Sequence, residues 1–216
     1  MPFNHSCFIS YRHALYSQGR AYTEQIVEAL AGELEMMVSQ RVFRDTDRLR
    51  GAEFYNETLA TALCESVCMI LLYWPTYFSR DHTFCTREYK AMERLEQSRL
   101  QLLPDPLERS HGLIIPIALR DFQSLPAEIR TKRFCYDFEP YTLRGDMRRN
   151  PEFRSKIREI GQYISRRCRA FENLGAIEDI CNQCREFALP HESEVLQWLN
   201  QLIPTLFPFP NRGGSR

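Results

Sequence analysis

Val67-Cys68-Met69-Ile70-Leu71-Leu72-Tyr73-Trp74 is the most hydrophobic run of the chain, and Pro75 ends it. Eight residues fall well short of the roughly 20 needed to cross a bilayer. A strand with one wet face would alternate apolar and polar residues; this run does not. It fits a central parallel strand covered by helices on both faces. Upstream, Cys7-Phe8-Ile9-Ser10 and Arg41-Val42-Phe43-Arg44 read as two shorter strands. Between them Tyr22, Ile26, Leu30, Leu34 and Met37 recur at three- to four-residue spacing, the apolar face of a helix. A charged loop, Asp45 to Gly51, leads into a second helix from Glu53, with Tyr55, Leu59, Ala62 and Leu63 on one side.

Downstream, Thr83 to Glu96 reads as a third helix, followed by a loop with Pro104 and Pro106. Leu113 to Leu119 is a fourth strand, in which Pro116 predicts an interruption or a nearby sheet edge. Leu125 to Arg130 is a short crossover, and Phe134 to Phe138 a fifth strand. Strands alternating with helices predict an α/β fold: a five-stranded parallel sheet flanked by helices, with a C-terminal helical extension. Ligands of such sheets bind outside the carboxyl ends of the strands. That selects the loops after Ser10, Arg44 and Trp74, with Arg44, Asp45 and Trp74 as candidate contacts. His13 and His82 lie in strand-end loops too, where a solvated histidine is the plainer reading.

From Pro151 the texture changes. Phe153, Ile157, Ile160, Ile164 and Cys168 mark a long amphipathic helix with proline at its start. Two more helices are expected at Ala176–Phe187 and Ser193–Leu202, with Pro204 to Arg216 extended. Residues 144–170 carry nine basic and three acidic side chains, whereas 171–204 carry one basic and six acidic. Arg154, Arg158 and Arg169 form a polar face that either meets solvent or follows a phosphate backbone.

The chain has 216 residues, 44% hydrophobic and 26% charged, enough apolar material for a core. Its 28 basic residues balance 28 acidic ones, which excludes a bulk polycation for nucleic acid and an acidic solvating chain. Of the basic residues, 25 are Arg and three are Lys. Arginine suits bidentate phosphate or carboxylate recognition, though the base composition of a genome is the plainer explanation of the excess. The first residues lack a basic and apolar leader pattern, and a cytoplasmic protein is expected. The eight Cys are then expected as reduced thiols. Cys64 is read as a small buried hydrophobe, and Cys181 and Cys184 as a lone pair without a second pair at zinc spacing.

The sequence has no Gly-x-Gly-x-x-Gly or Gly-x-x-x-x-Gly-Lys-Ser/Thr loop, no Gly-x-Ser-x-Gly elbow and no His-Glu-x-x-His. Its five His have no metal-ligand spacing, and no metal site is predicted. Glu88 stands out. Phe84, Ala91, Met92 and Leu95 lie at i−4, i+3, i+4 and i+7 from it, so a carboxylate sits on the apolar face of the third helix, close to its start. Burial there strengthens its action on a bound ligand. The plainer account is a boundary glutamate paired with Arg87 or Arg12.

Four segments, in order, resemble a known family. Phe8-Ile9-Ser10-Tyr11-Arg12 is similar to the first-strand motif of Toll/interleukin-1 receptor (TIR) domains. Phe43-Arg44-Asp45 followed by Leu49-Arg50-Gly51 resembles the family's second strand and BB loop. Ser79, then Phe84-Cys85-Thr86-Arg87-Glu88, resembles its Ser … Trp-Cys-x-x-Glu segment, with Phe84 in place of Trp. Leu113 to Leu119 resembles its fourth strand.

The resemblance covers residues 5–140. It implies a TIR domain over 1–150, with the last TIR helix and a helical extension over 151–216. It also implies cleavage of NAD+, as substrate and not as cofactor, at the nicotinamide–ribose bond, as in bacterial NAD+-consuming TIR proteins of immunity and antiphage defence. Glu88 is then catalytic. Tyr11, Arg12, His13, Phe54, Ser79 and Phe84 line the substrate site together with Arg44, Asp45 and Trp74. Asp47, Arg48, Leu49, Arg50 and Gly51 serve self-association into a homo-oligomer. A companion sensor or effector protein is expected, with no membrane and no nucleic acid as partner. The alternative is a non-catalytic adaptor docking through the BB loop.

Overall fold

The computed structural model describes residues 3–12, 17–44, 55–142, 145–174, 184 and 186–206. The chain runs β1 (His5–Tyr11), α1 (Ser17–Glu35), β2 (Arg41–Arg44), α2 (Tyr55–Cys64), β3 (Ser66–Tyr73) and α3 (Phe84–Leu102). It continues through α4 (Pro106–Arg109), β4 (Ile114–Ala118), α5 (Ala127–Lys132), β5 (Tyr136–Asp137), α6 (Glu139–Thr142), α7 (Pro151–Glu172) and α8 (Glu192–Leu206). The five strands form one sheet in the order β2-β1-β3-β4-β5, and every pairing is parallel. This is the expected α/β architecture. Every residue of β3 is buried. From β1 the chain steps outward to β2, then returns to the other side of β1 to lay down β3. The strand order therefore reverses between β1 and β3.

Strand alternation assigns the faces. Cys7 on β1 and Cys68 on β3 are register partners, and both lie beside Cys168 of α7. Burial pushes all three thiols up, Cys168 to about 12, and they stay protonated as small hydrophobes. Cys7 and Tyr11 thus point to the layer of α1 and α7, and Ser10 points to the layer of α2 and α3. Helix α7 starts where Pro151 predicts, with Asn150 accepting from the Glu152 and Phe153 N–H groups at 2.8 and 3.3 Å. Its apolar stripe, Phe153, Ile157, Ile160 and Ile164, belongs to the same buried cluster as the sheet. A Cβ on Gly161 would stand 2.9 Å from Glu33 Cγ, so glycine permits the close approach of α1.

Pro116 is inside the sheet, one strand in from its edge. Met69 N–H donates to Leu113 O and Leu119 N–H to Tyr73 O, so odd-numbered residues of β4 turn their backbone groups to β3. Pro116, even-numbered, faces β5. There the ladder begins only at Ile117 with Tyr136, and the missing N–H breaks no bond. The fifth strand is accordingly two residues, shorter than expected, and Phe134 lies outside it, 71% exposed. Arg133 is the cause. It turns inward to Glu96 of α3, with Nη1 to Oε1 at 2.8 Å and Nη2 to Oε2 at 2.7 Å. Glu96 Oε1 also accepts the N–H groups of Leu113 and Ile114, at 2.5 and 3.2 Å. One buried carboxylate thereby anchors both the start of β4 and the approach to β5.

Other expectations need correction. The third helix extends to Leu102, beyond Glu96. A short helix, α4, replaces the proline loop, with Asp105 accepting from Leu107 N–H at 2.9 Å. Residues 186–191 are not helical, so no helix reaches Phe187; positions 175–183 lie outside the described residues. Helix α8 runs past Leu202 and through Pro204. Cys64 and Cys184 are not reduced thiols but a disulfide, joining the end of α2 to the segment before α8 across 120 residues of sequence. Cys7, Cys68, Cys85, Cys135 and Cys168 are free, as expected. Among the described residues, no helix is long and apolar enough to cross a membrane.

Arg133→Met leaves Glu96 buried without its cation. It is expected to lower stability by about 3–5 kcal/mol, read from the urea unfolding midpoint. Reducing the Cys64–Cys184 bond is expected to lower stability by about 2–5 kcal/mol, read from unfolding with and without a thiol reductant.

Candidate active site

Two strand ends and one helix start converge where the strand order reverses. Ser10, next to last in β1, projects toward α3. Glu88 lies one turn into α3 and faces back to the sheet. Ser10 Oγ donates to Glu88 Oε2 at 2.5 Å, and the Tyr77 hydroxyl stands 2.5 Å from the same Oγ. Ser10 has a single proton, given to the carboxylate, so Tyr77 O–H donates to Ser10. The result is a relay, Tyr77 to Ser10 to Glu88. Glu88 is 5% exposed, Ser10 1% and Tyr77 0%. Tyr77 titrates well above the usual phenol range, chiefly through burial and then through the neighbouring Cys85 and Glu88. It therefore remains a donor at any physiological pH.

The crevice between the ends of β1 and β3 is the binding position that open parallel sheets favour. Arg12 bridges it: Nη1 donates to Thr76 O, beyond the end of β3, at 2.6 Å. This contact uses one of five guanidinium N–H groups, which leaves others able to donate to a ligand. Tyr11, by alternation, lies on the other face of the sheet from Ser10. Trp74 follows the end of β3, and its buried Nε1 has no hydrogen-bond partner among the described residues. A ligand acceptor would satisfy it. Ser79 accepts from Asp81 N–H at 3.3 Å within its own turn. Phe84, expected on the apolar face beside Glu88, is instead 41% exposed, with the Arg87 guanidinium 5.5 Å from its ring centre. The buried neighbours of Glu88 along the helix are Cys85, Ala91 and Met92. His13, Asp45 and Phe54 lie outside the described residues, as do Asp47, Arg48, Leu49, Arg50 and Gly51. Of Arg44 only the backbone, paired with Ile9, is described.

The C-terminal segment grips the helix that carries Glu88. Thr83 Oγ1 donates to Glu192 Oε1 at 3.0 Å, and Arg87 Nε to Pro190 O at 2.7 Å. Arg94 pairs with Glu194 at 2.6 Å. Lys90 lies 4.2 Å over the Trp198 ring, which stacks on Tyr89 with centroids 5.7 Å apart. Phe78 meets Trp198 edge-on at 5.3 Å and Tyr77 at 4.8 Å. A chain of rings therefore runs from the relay to α8. Trp198 Nε1 donates to Glu128 Oε2 of α5 at 3.1 Å.

Ser10, Tyr77 and Trp198 were not among the residues selected from sequence. Ser10 had a signal, a hydroxyl closing an otherwise apolar strand. Tyr77 and Trp198 had none, because their partners are 67 residues away and, for Trp198 with Glu128, 70. The constellation is chemically simple. A carboxylate held in one orientation presents fixed negative charge and hydrogen-bond acceptors to a ligand that is hydroxylated or becomes cationic. Among the described residues there is no group of His, Cys, Asp and Glu that could hold a metal. No protein-family model matches the chain, and no curated protein matches it in sequence.

Ser10→Ala and Tyr77→Phe are each expected to lower stability by about 1–2 kcal/mol. The double variant should cost less than the sum, since both break one relay; a double-mutant cycle of unfolding free energies checks this.

Proposed function

We propose that the protein is a TIR-domain NAD+ glycohydrolase or cyclase that cleaves the nicotinamide–ribose bond. The observation that carries this reading is Glu88, a buried carboxylate oriented by Ser10 at the crevice where the strand order reverses. The order of the four TIR-like segments adds to it.

The chemistry fits the residues. The bond from the nicotinamide nitrogen to ribose C1′ breaks with its electron pair leaving on nicotinamide, whose ring nitrogen loses its positive charge. Positive charge passes to the ribose as an oxocarbenium ion. Glu88 stabilises that charge and accepts from the ribose hydroxyls, while Ser10 and Tyr77 hold the carboxylate still. One preorganised electrostatic group of this kind is worth about 3–4 kcal/mol. Arg12 takes a phosphate oxygen of the substrate. Attack by water, which then loses a proton, gives ADP-ribose; attack by an internal adenine or ribose atom gives a cyclic product. Self-association through the 45–51 loop activates the enzyme, and the setting is bacterial immunity or antiphage defence, with a companion sensor or effector; in the cytoplasm, the compartment this reading assigns, the Cys64–Cys184 bond is exposed to reduction. A docking module alone has no use for a buried, oriented carboxylate on the apolar face of α3, which disfavours the adaptor reading.

Purified protein, with and without a crowding agent to favour self-association, is expected to convert NAD+ to nicotinamide. Glu88→Gln should lower turnover by about 10²- to 10³-fold while retaining the circular dichroism spectrum. Equal turnover in both proteins, or none in the wild type under any clustering condition, would overturn the reading.

A further inference from the structure

The sheet has a second opening, toward the amino ends of its strands and away from Glu88. Because β5 pairs with β4 only at Ile117 and Ala118, the first residues of β4 have a strand on the β3 side alone. Arg133 draws the incoming chain toward Glu96, and α7 stands off on the other side. Two tyrosines fix the width of the gap. Tyr163 of α7 donates to Gly112 O at 2.6 Å, and Tyr136 of β5 donates to Glu159 of α7 at 3.1 Å. The cleft left between these walls has a volume of about 370 Å³ and is floored by Ile114 and Ile115. That is within the size range of small-molecule sites.

Its lining has two properties. It is aromatic: the rings of Tyr136 and Tyr163 line it, and Phe134 stands at it 71% exposed, edge-on to Tyr136 at 5.0 Å. Both tyrosine hydroxyls are engaged, so the rings are held in place. It is also cationic beyond what the protein neutralises. Lys132 is matched by Glu128 at 3.0 Å, Arg133 by Glu96 at 2.7 Å, and Glu159 by Lys156 at 2.9 Å. Arg166, on the exposed side of α7, makes no hydrogen bond or ion pair with any described residue. The cleft thus holds an exposed phenyl ring and a guanidinium without a described protein partner, over an apolar floor. Together they suit a flat ring bearing an acidic group.

We propose that this cleft is a binding site for a planar aromatic anion, the ring lying among Phe134, Tyr136 and Tyr163 and the acidic group meeting Arg166. The chemistry is shared by nucleoside monophosphates and aromatic carboxylates. The site is independent of Glu88 and of the reaction proposed for it.

The test is calorimetric titration of the full chain with adenosine 5′-monophosphate and with 2-naphthoate. Adenosine, which lacks the charge, and inorganic phosphate, which lacks the ring, serve as controls. At least one of the two aromatic anions is expected to bind saturably, and which one does identifies the source of the acid. Arg166→Glu should weaken that binding by about tenfold or more. Phe134→Ala should weaken it by about three- to tenfold. Arg166→Gln, which introduces a good helix former and removes the charge without reversing it, should act in the same direction as Arg166→Glu. Glu88→Gln should leave it unchanged, which separates this cleft from the crevice at the other end of the sheet. Absence of saturable binding of both anions at millimolar concentration would overturn the proposal. So would binding that the Arg166 and Phe134 variants leave intact, or phosphate binding as tightly as the aromatic anions.

Discussion

The constraint on which the rest of the molecule depends is the burial of β3 on both faces. A strand without a polar face cannot lie at a surface, so helices must cover it on each side. Right-handed crossovers meet that requirement only if the chain winds one way from β1 to reach β2 and the other way to reach β3. The reversal parts the loops that follow β1 and β3. Ser10 and Tyr77 reach the crevice for that reason, and α3, packed on the same face, delivers Glu88 to them. The site is a by-product of how a fully buried strand is covered.

Buried polar groups do the fixing within that frame. Glu96 accepts from Arg133 and from two backbone N–H groups at the start of β4. Arg99, also on α3, donates to Ser66 O at 2.6 Å and to Cys64 O, where α2 passes into β3. A Cβ on Gly112 would come within 2.9 Å of Glu96 Oε1, so the absence of a side chain there is what lets the carboxylate reach the strand. Helix α3 is thus tied to the sheet by two charged residues near one end and by Glu88 near the other. Burial of such groups is tolerable only because each is hydrogen-bonded.

The sequence made the sheet legible because hydrophobic periodicity is a local property. Val67 to Trp74, the spacing of Tyr22 to Leu34, and Pro151 before a long apolar stripe each declare an element within its own span. Glu88 was legible too, since a carboxylate among apolar residues at helical spacing is a local anomaly. What could not be read is what depends on distant partners. Nothing near Phe134 says that Arg133 will turn away and shorten β5. Nothing near Cys64 says that its partner is Cys184. Phe84 misled because helical spacing alone does not tell a core position from one at the rim, where Arg87 covers it. Tyr77 and Trp198 acquire their meaning only once α8 has folded back along α3.

The Cys64–Cys184 bond closes the chain into a covalent ring with two tails. Glu88, all of α3, and both β4 and β5 lie within the ring; Ser10 and the whole of β1 belong to the N-terminal tail. The hydrogen bond from Ser10 to Glu88 therefore joins a linear arm to a closed loop. A peptide bond cut inside the ring leaves the chain in one covalent piece, whereas a cut between β1 and α2 leaves the arm that orients the carboxylate held by non-covalent contacts alone. Loss of a backbone bond has unequal consequences on the two sides of Cys64: one opens a circle, the other leaves half of the crevice without a covalent tether.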